Sequence, residues 1–297
     1  MFYKSEDFIS ACKKENKHLW NFVLEEEKEH TGLSCERIKK RLSEMLNVME
    51  SSSKDTLFVE HSTRYGMIDG FAKKMETYSK SQESITGDFL THTMAMAFST
   101  LECNAFMGRI VASPTAGSAG ILPAVLMSMK EKYSYDDEKL IEAMLTAVGI
   151  GKLIGEYASF SGADGGCQAE TGSAAAMAAA ACVFLRGGSP EMCFNAASFA
   201  LLHVLGLVCD PIAGLVEYPC TFRNASGAMN ALFSADMALA GITSFVPFEE
   251  ICQAMRKVGK ELSPALRETG LGGVAGTKTG QRIRREFLGI LGSEEEF

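Results

Sequence analysis

Between Gly162 and Gly227 the sequence sets three cysteines beside residues that bend a backbone: Cys167 follows Gly165-Gly166, Cys209 precedes Asp210-Pro211, and Cys220 follows Pro219. Thiolates that share a metal must converge on it from different directions, which turns allow and a single helix face does not. Another cysteine of this stretch, Cys193, falls in mid-helix. Zinc modules usually keep two ligands within a few residues of each other, and Cys167 has no such near partner. The residues leave three readings: zinc completed by a histidine, a cluster completed by Cys182, Cys193 or Cys103, or a cluster with one iron open. Electron-transfer clusters are normally fully ligated, so the open-iron reading fits three cysteines best. An open iron is a Lewis acid that can bind a hydroxyl group and carry it away.

A second constellation surrounds Pro114, Gly117 and Gly120, which force a tight turn to which Ser113, Thr115 and Ser118 bring hydroxyls. The apolar helix that begins near Ile121 offers unpaired N–H groups at its start, a seat for a carboxylate as well as an ordinary helix connection. Arg223 and Asn224 follow Cys220 closely; the guanidinium can grip a carboxylate bidentately or pair with an acid of the protein itself. Proton acceptors in reach of such chemistry are His61, His92, His203, Lys152 and Lys278, among which the sequence does not choose. His92 also reads as a satisfied core histidine and His61 as an exposed loop residue. Lys152 and Lys278 would suit a pyridoxal Schiff base, yet neither lies in a strand-rich α/β pattern made for that cofactor.

The elements that must position these residues are helical. Apolar residues recur at helical spacing through residues 1–53, as in Ile38, Leu42, Met45, Leu46 and Met49, with one helix ending at Thr31-Gly32 and Ser51-Ser52-Ser53 breaking another. An irregular connection follows to Gln82, and Thr86 or Asp88 caps the next long apolar helix. Gly149, Gly151 and Gly155 lower the propensity of a buried helix and mark places where a neighbour crosses closely. The alanine-rich run Ala174–Ala181 reads as a core helix, and Ser189-Pro190 as an N-cap and first turn. Leu271–Gly280 reads as a flexible glycine-rich loop near the site. Without strand-helix alternation or internal repeats, the expected fold is all-α, a multi-helix, bundle-like domain with cysteine-bearing loops. Its expected division is residues 1–82, N-terminal helices and connection, and 83–297, a helical catalytic domain.

A formal charge of −8 over 297 residues, with no basic cluster interleaved with aromatics, argues against nucleic-acid binding. The uncharged runs Ile110–Met129 and Met192–Cys209 are interrupted by prolines and glycines or by Asn195, Ser198 and His203, which argues against membrane spans. Nine cysteines, an odd count, and an N-terminus of mixed charge point to reduced thiols in a cytoplasm.

The segments SPTAGSAGILPAVL (Ser113–Leu126), SGADGGCQAETGSAAAMAAAA (Ser161–Ala181) and LGLVCDPIAGLVEYPCTFRNASGAMNA (Leu205–Ala231) closely resemble the alpha chain of the iron-sulfur-dependent L-serine dehydratases, over about Gly87–Gly280. The resemblance implies that Cys167, Cys209 and Cys220 hold a 4Fe-4S cluster, and that the chain removes water from L-serine to yield pyruvate and ammonia. It also implies that the Ser113–Gly120 loop, matching an APTxGxxG-type segment with Ser113 and Ala116 at variable positions, lines the substrate pocket. Substrate contacts are then expected from Ser113, Thr115, Gly117, Ser118, Arg223 and Asn224. Asp164 stands where the family often has Glu, leaving a catalytic role for that carboxylate in doubt. Such chains work with a separate beta chain or a fused second domain, so a partner is expected. A lyase acting on cysteine or another β-substituted amino acid, and a non-enzymatic iron-sulfur redox sensor, are the competing functions.

Overall fold

The computed structural model describes residues 4–81 and 83–289, and its regular elements are helices. The expected boundary at Gln82 falls outside the described residues. Helices α1 (Ser5–Glu15), α2 (Leu19–Thr31) and α3 (Cys35–Lys54) precede a loop and the short α4 (Phe71–Ser79). Then come α5 (Asp88–Ala105), α6 (Ile121–Tyr133), α7 (Asp137–Tyr157) and the single turn α8 (Gly162–Gly165). A π-helical turn, Gln168–Gly172, runs into α9 (Ser173–Leu185), followed by α10 (Pro190–Leu202), α11 (Cys220–Leu239), α12 (Phe248–Glu261) and α13 (Lys278–Phe287). Among the described residues β pairing is limited to two single bridges, Ser62 with Asp69 and Cys209 with Arg267. The all-α expectation holds, and no described helix is long and apolar enough to cross a membrane.

Helix α9 is the axis of the fold. Every residue from Ser173 to Leu185 is buried, as a helix that is apolar on all sides requires. Its alanines let α6, α7, α10 and α11 pack directly onto it. Helices α1–α3 join the same core through Phe8, Val23 and Leu46. At Gly149 a Cβ would stand 2.8 Å from methyls of Leu19 and Val23, so α2 crosses α7 at the place the glycines marked. Burying Leu19 and Val23 there contributes roughly 1.5–3 kcal/mol each.

Local signals mostly hold. The Ser189 side chain accepts from Met192 N with Pro190 in the first turn of α10, and Gly32 closes α2 at φ 67°. Two expectations do not. The Ser51–Ser53 run leaves α3 intact, because the Ser52 and Ser53 hydroxyls donate back to the Met49 and Glu50 carbonyls while both side chains are buried. Serine breaks helices when its hydroxyl competes for the backbone from outside; here the Ser52 carbonyl also accepts from Ser99 Oγ at 2.9 Å, pinning α3 to α5. Helix α5 starts from Gly87 with no side-chain cap, and Asp88 lies inside its first turn.

Candidate active site

The turn through Gly165 and Gly166 delivers Cys167 to the start of the helix that runs through the π-helical turn into α9. Gln168, fully buried, holds that point in place: its amide donates to the Gly165 carbonyl (2.8 Å) and the Met255 carbonyl (3.0 Å), and its oxygen accepts from Gly206 N (2.9 Å). The last contact ties the Cys167 turn to the chain that leads to Cys209. Cys209 itself pairs with the C-terminal segment, its N–H donating to Leu266 O (2.9 Å) and its carbonyl accepting from Glu268 N (2.7 Å). Cys220 is the first residue of α11, directly after the cis Tyr218–Pro219 bond.

The three thiols are buried and close enough to act on one another. Burial, then Glu170 and Cys167, drive the Cys209 thiol far up; the Cys220 thiol is pushed up to about 12, by burial and then by Cys167. The Cys167 thiol is raised by burial and partly held back by the Arg223 guanidinium. The remaining candidate ligands lie elsewhere: Cys193 donates to Ala180 O, Cys103 to Arg109 O, and Cys182 sits on α9 near Asp236. Among the described residues no three His, Cys, Asp or Glu side chains close around a single ion position.

Glu170, which the sequence reading passed over, links the cysteines to the hydroxyl loop. Thr115 Oγ1 donates to its Oε1 at 2.7 Å, and Cys209 Sγ lies 3.6 Å from its Oε2. Burial pushes the Glu170 pKa up, against the Thr115 hydroxyl, which works the other way. Its spacing was the available signal: three residues after Cys167 on one helix is the same face. Glycines make room for it, since a Cβ at Gly117 would stand 2.9 Å from Oε1, and one at Gly162 2.7 Å from both Oε2 and Cys209 Sγ. The π-helical turn that carries it is a feature often found at functional sites.

Among the expected substrate residues, hydrogen bonds join Thr115 to Ser118 and Asn224 to Gly117. Ser118 Oγ lies 3.1 Å from Thr115 Oγ1, and the Ser113 hydroxyl is buried without a hydrogen-bond partner. Asn224 is fully engaged: its amide donates to Gly117 O and Cys220 O (both 2.8 Å), and its oxygen accepts from Gly120 N (2.9 Å). Arg223 pairs with Asp210 at 2.7 Å and donates to Val208 O at 2.9 Å. Asp210, only 2 % exposed, also accepts from Val274 N at 2.6 Å. The Leu271–Gly280 stretch, expected to be flexible, therefore includes a 3₁₀ turn (Gly273–Gly276) fastened to the Cys209 loop. Asp164 lies exposed on α8.

The proton-acceptor candidates separate. Lys152 pairs with Glu26 and Glu27 of α2, and Lys278 is exposed at the start of α13. Both ring nitrogens of His92 meet carboxylates, Glu76 and Glu131, beside a cavity of about 790 Å³ at α4, α5 and α6. That cavity is lined by ion pairs and holds none of the three cysteines. His61 is exposed and packs at a tilt against Phe106. His203 lines a cavity of about 450 Å³ together with Thr171 and Arg223.

Residues 14–275 match the sequence family described as serine dehydratase alpha chain. The chain belongs to that family. It is 54 % identical over 288 residues to the L-serine dehydratase alpha chain of Peptoniphilus asaccharolyticus, covering 97 % of this chain and 99 % of the relative. A probable L-serine dehydratase alpha chain of Bacillus subtilis is 44 % identical over 296 residues, covering 99 % and 98 %. The L-serine dehydratase of Streptomyces coelicolor is 36 % identical over 275 residues, covering 90 % of this chain but 57 % of that longer protein. The likeness thus reaches into α1–α3, well before the Gly87 start that the motifs suggested.

Proposed function

We propose that this chain is the alpha subunit of an L-serine dehydratase, converting L-serine to pyruvate and ammonia, with Cys167, Cys209 and Cys220 holding a 4Fe-4S cluster. The observation that carries the reading is the convergence of three buried thiols, from three separate segments, beside a hydroxyl-bearing loop joined to them through Glu170. The donor set fits the group. A single ion at about 2.3 Å from each sulfur needs a tighter set than the described residues offer, whereas a cluster spreads its thiolates over several irons. Gly162, where a Cβ would press on Cys209 Sγ, leaves space beside that sulfur.

Held by Cys167, Cys209 and Cys220, such a cluster would supply a Lewis acid for the substrate hydroxyl. The rest is the work of the chain. Ser113, Thr115 and Ser118, with the backbone at Gly117, line the turn before α6 and bind the amino-acid carboxylate there. Asn224 fixes that turn to α11, and Glu170 fixes it to Cys209. Arg223, kept charged despite burial by Cys167, Asp210 and Cys220, places a cation beside the thiolates and favours their ionised form. Asp210 holds this arginine and the Val274 backbone together, closing the site on its C-terminal side.

The reading includes a beta chain, supported by the alpha-chain relatives and by the longer Streptomyces protein that this chain spans in part. A cytoplasmic setting suits a protein whose nine cysteines are all free thiols. The test is anaerobic assay of pyruvate from L-serine by iron-reconstituted protein, with and without the beta chain. Turnover that needs both chains is expected. Full activity from this chain alone refutes the partner; turnover of L-cysteine in place of L-serine moves the substrate; a cluster that cycles with oxidant and never turns over points to a redox sensor.

A further inference from the structure

His203 ends α10 at the lip of the 450 Å³ cavity whose wall includes Thr171 and Arg223. Both neighbours touch the cysteine centre: Thr171 Oγ1 lies 3.6 Å from Cys167 Sγ, and Arg223 acts electrostatically on Cys167 and Cys220. The ring is held by a buried relay. Asn230, 3 % exposed, donates through Nδ2 to Ala200 O at 2.8 Å, which leaves its Oδ1 toward His203 Nδ1, also at 2.8 Å. Ser234 Oγ donates to the same Oδ1 at 3.1 Å. An amide oxygen only accepts, so Nδ1 carries the hydrogen and the neutral ring presents an unprotonated Nε2. Phe233 packs against it at a tilt of 59°, with ring centres 4.9 Å apart.

Resting on the dehydratase reading, we propose that His203 is the residue that takes the α-proton of the substrate. The Cα–H bond breaks toward Nε2, its electron pair forms the Cα–Cβ double bond, and the Cβ–O bond breaks with its pair leaving on oxygen. The proton on His203 and the departing hydroxide together make the water released. The resulting 2-aminoacrylate tautomerises to the imine, which one water hydrolyses to pyruvate and ammonia. Among the residues lining the cavity with His203, Arg223 is the one charged group. His203 is exposed, so its removal opens no buried hole and the fold should persist.

The experiment compares wild type, His203→Ala and His203→Gln as iron-loaded complexes with the beta chain. Loss of a positioned proton acceptor should lower kcat about 10²–10⁴-fold, with KM within about threefold and iron content unchanged. Added imidazole should restore turnover of His203→Ala, and substrate deuterated at Cα should show an isotope effect. Nitrogen NMR of the iron-free chain supplies a readout independent of turnover: the neutral His203 ring should carry its hydrogen on Nδ1. A variant that keeps more than about a tenth of wild-type kcat, a loss that imidazole does not restore, or a ring with its hydrogen on Nε2 overturns the assignment. A wild type that makes no pyruvate from L-serine instead refutes the dehydratase reading, and the role of His203 with it.

Discussion

Replacing Asn224 by alanine separates a residue that holds the loop from one that holds substrate. Asn224 is fully buried and makes three hydrogen bonds, to Gly117 O, Cys220 O and from Gly120 N. The Cys220 carbonyl is four residues back in α11 and keeps its helical partner. Gly120 N and Gly117 O lose theirs. An unsatisfied buried backbone group costs about 1–3 kcal/mol, and Gly117 is half-buried, so water can reach its carbonyl; Gly120 is buried and bears the larger share. The expected loss is about 2–4 kcal/mol, a substantial part of the 5–15 kcal/mol typical of a folded domain. Urea unfolding of Asn224→Ala measures it, and hydrogen exchange should quicken at the amides of residues 115–120 with no serine present. Stability within about 1 kcal/mol of wild type, with unchanged exchange and a raised KM alone, refutes the positioning argument and returns Asn224 to direct substrate contact.

Cys167→Ala, Cys209→Ala and Cys220→Ala should each lose bound iron and sulfide as well as turnover, whereas Cys35→Ala should lose neither; anaerobic metal analysis decides, and a full complement in Cys209→Ala sinks the ligand set. Lys152→Ala should cost about 0.2–1 kcal/mol, as a partly exposed pair does, and Lys152→Ala and Lys278→Ala should both keep turnover, which hydroxylamine should also spare at short exposure. Loss of turnover on trapping a lysine aldimine would restore pyridoxal chemistry. Glu76, buried against Lys80 and His92, has its pKa lowered from 4.5, the burial that opposes this being outweighed by the Lys80 and His92 bonds. Its stabilisation is therefore present above pH 4.5 and fades as the pH falls through the lower folded value. Glu76→Gln should destabilise by about 1–3 kcal/mol at neutral pH and converge with wild type in acid, as urea midpoints across pH will read; an equal deficit at all pH values refutes the ionic origin.

The sequence by itself determined what depends on neighbours along the chain. Helical periodicity, the Ser189-Pro190 start and the Gly32 stop are local physics, and the alanine-rich run of α9 announces a buried axis because nothing in it prefers water. The turn-flanked cysteines and the hydroxyl loop were legible for the same reason: glycine and proline fix where a backbone bends whatever lies across from it. Tertiary structure decided what depends on partners far off in sequence. The hydroxyls of Ser52 and Ser53 end a helix or continue it according to whether they stay in solvent or, once buried, turn back to the Met49 and Glu50 carbonyls. The glycines of Leu271–Gly280 suggested freedom, but Asp210, 64 residues from Val274, fastens that segment beneath Arg223. Glu170 became visible as the joint between loop and cysteines only when Thr115, 55 residues away, came within 2.7 Å. His203 stood level with four other candidate bases in the sequence. Packing of α10 on α11 set it apart, because a hydrogen bond to a buried amide fixes a tautomer that no spacing along one chain can specify.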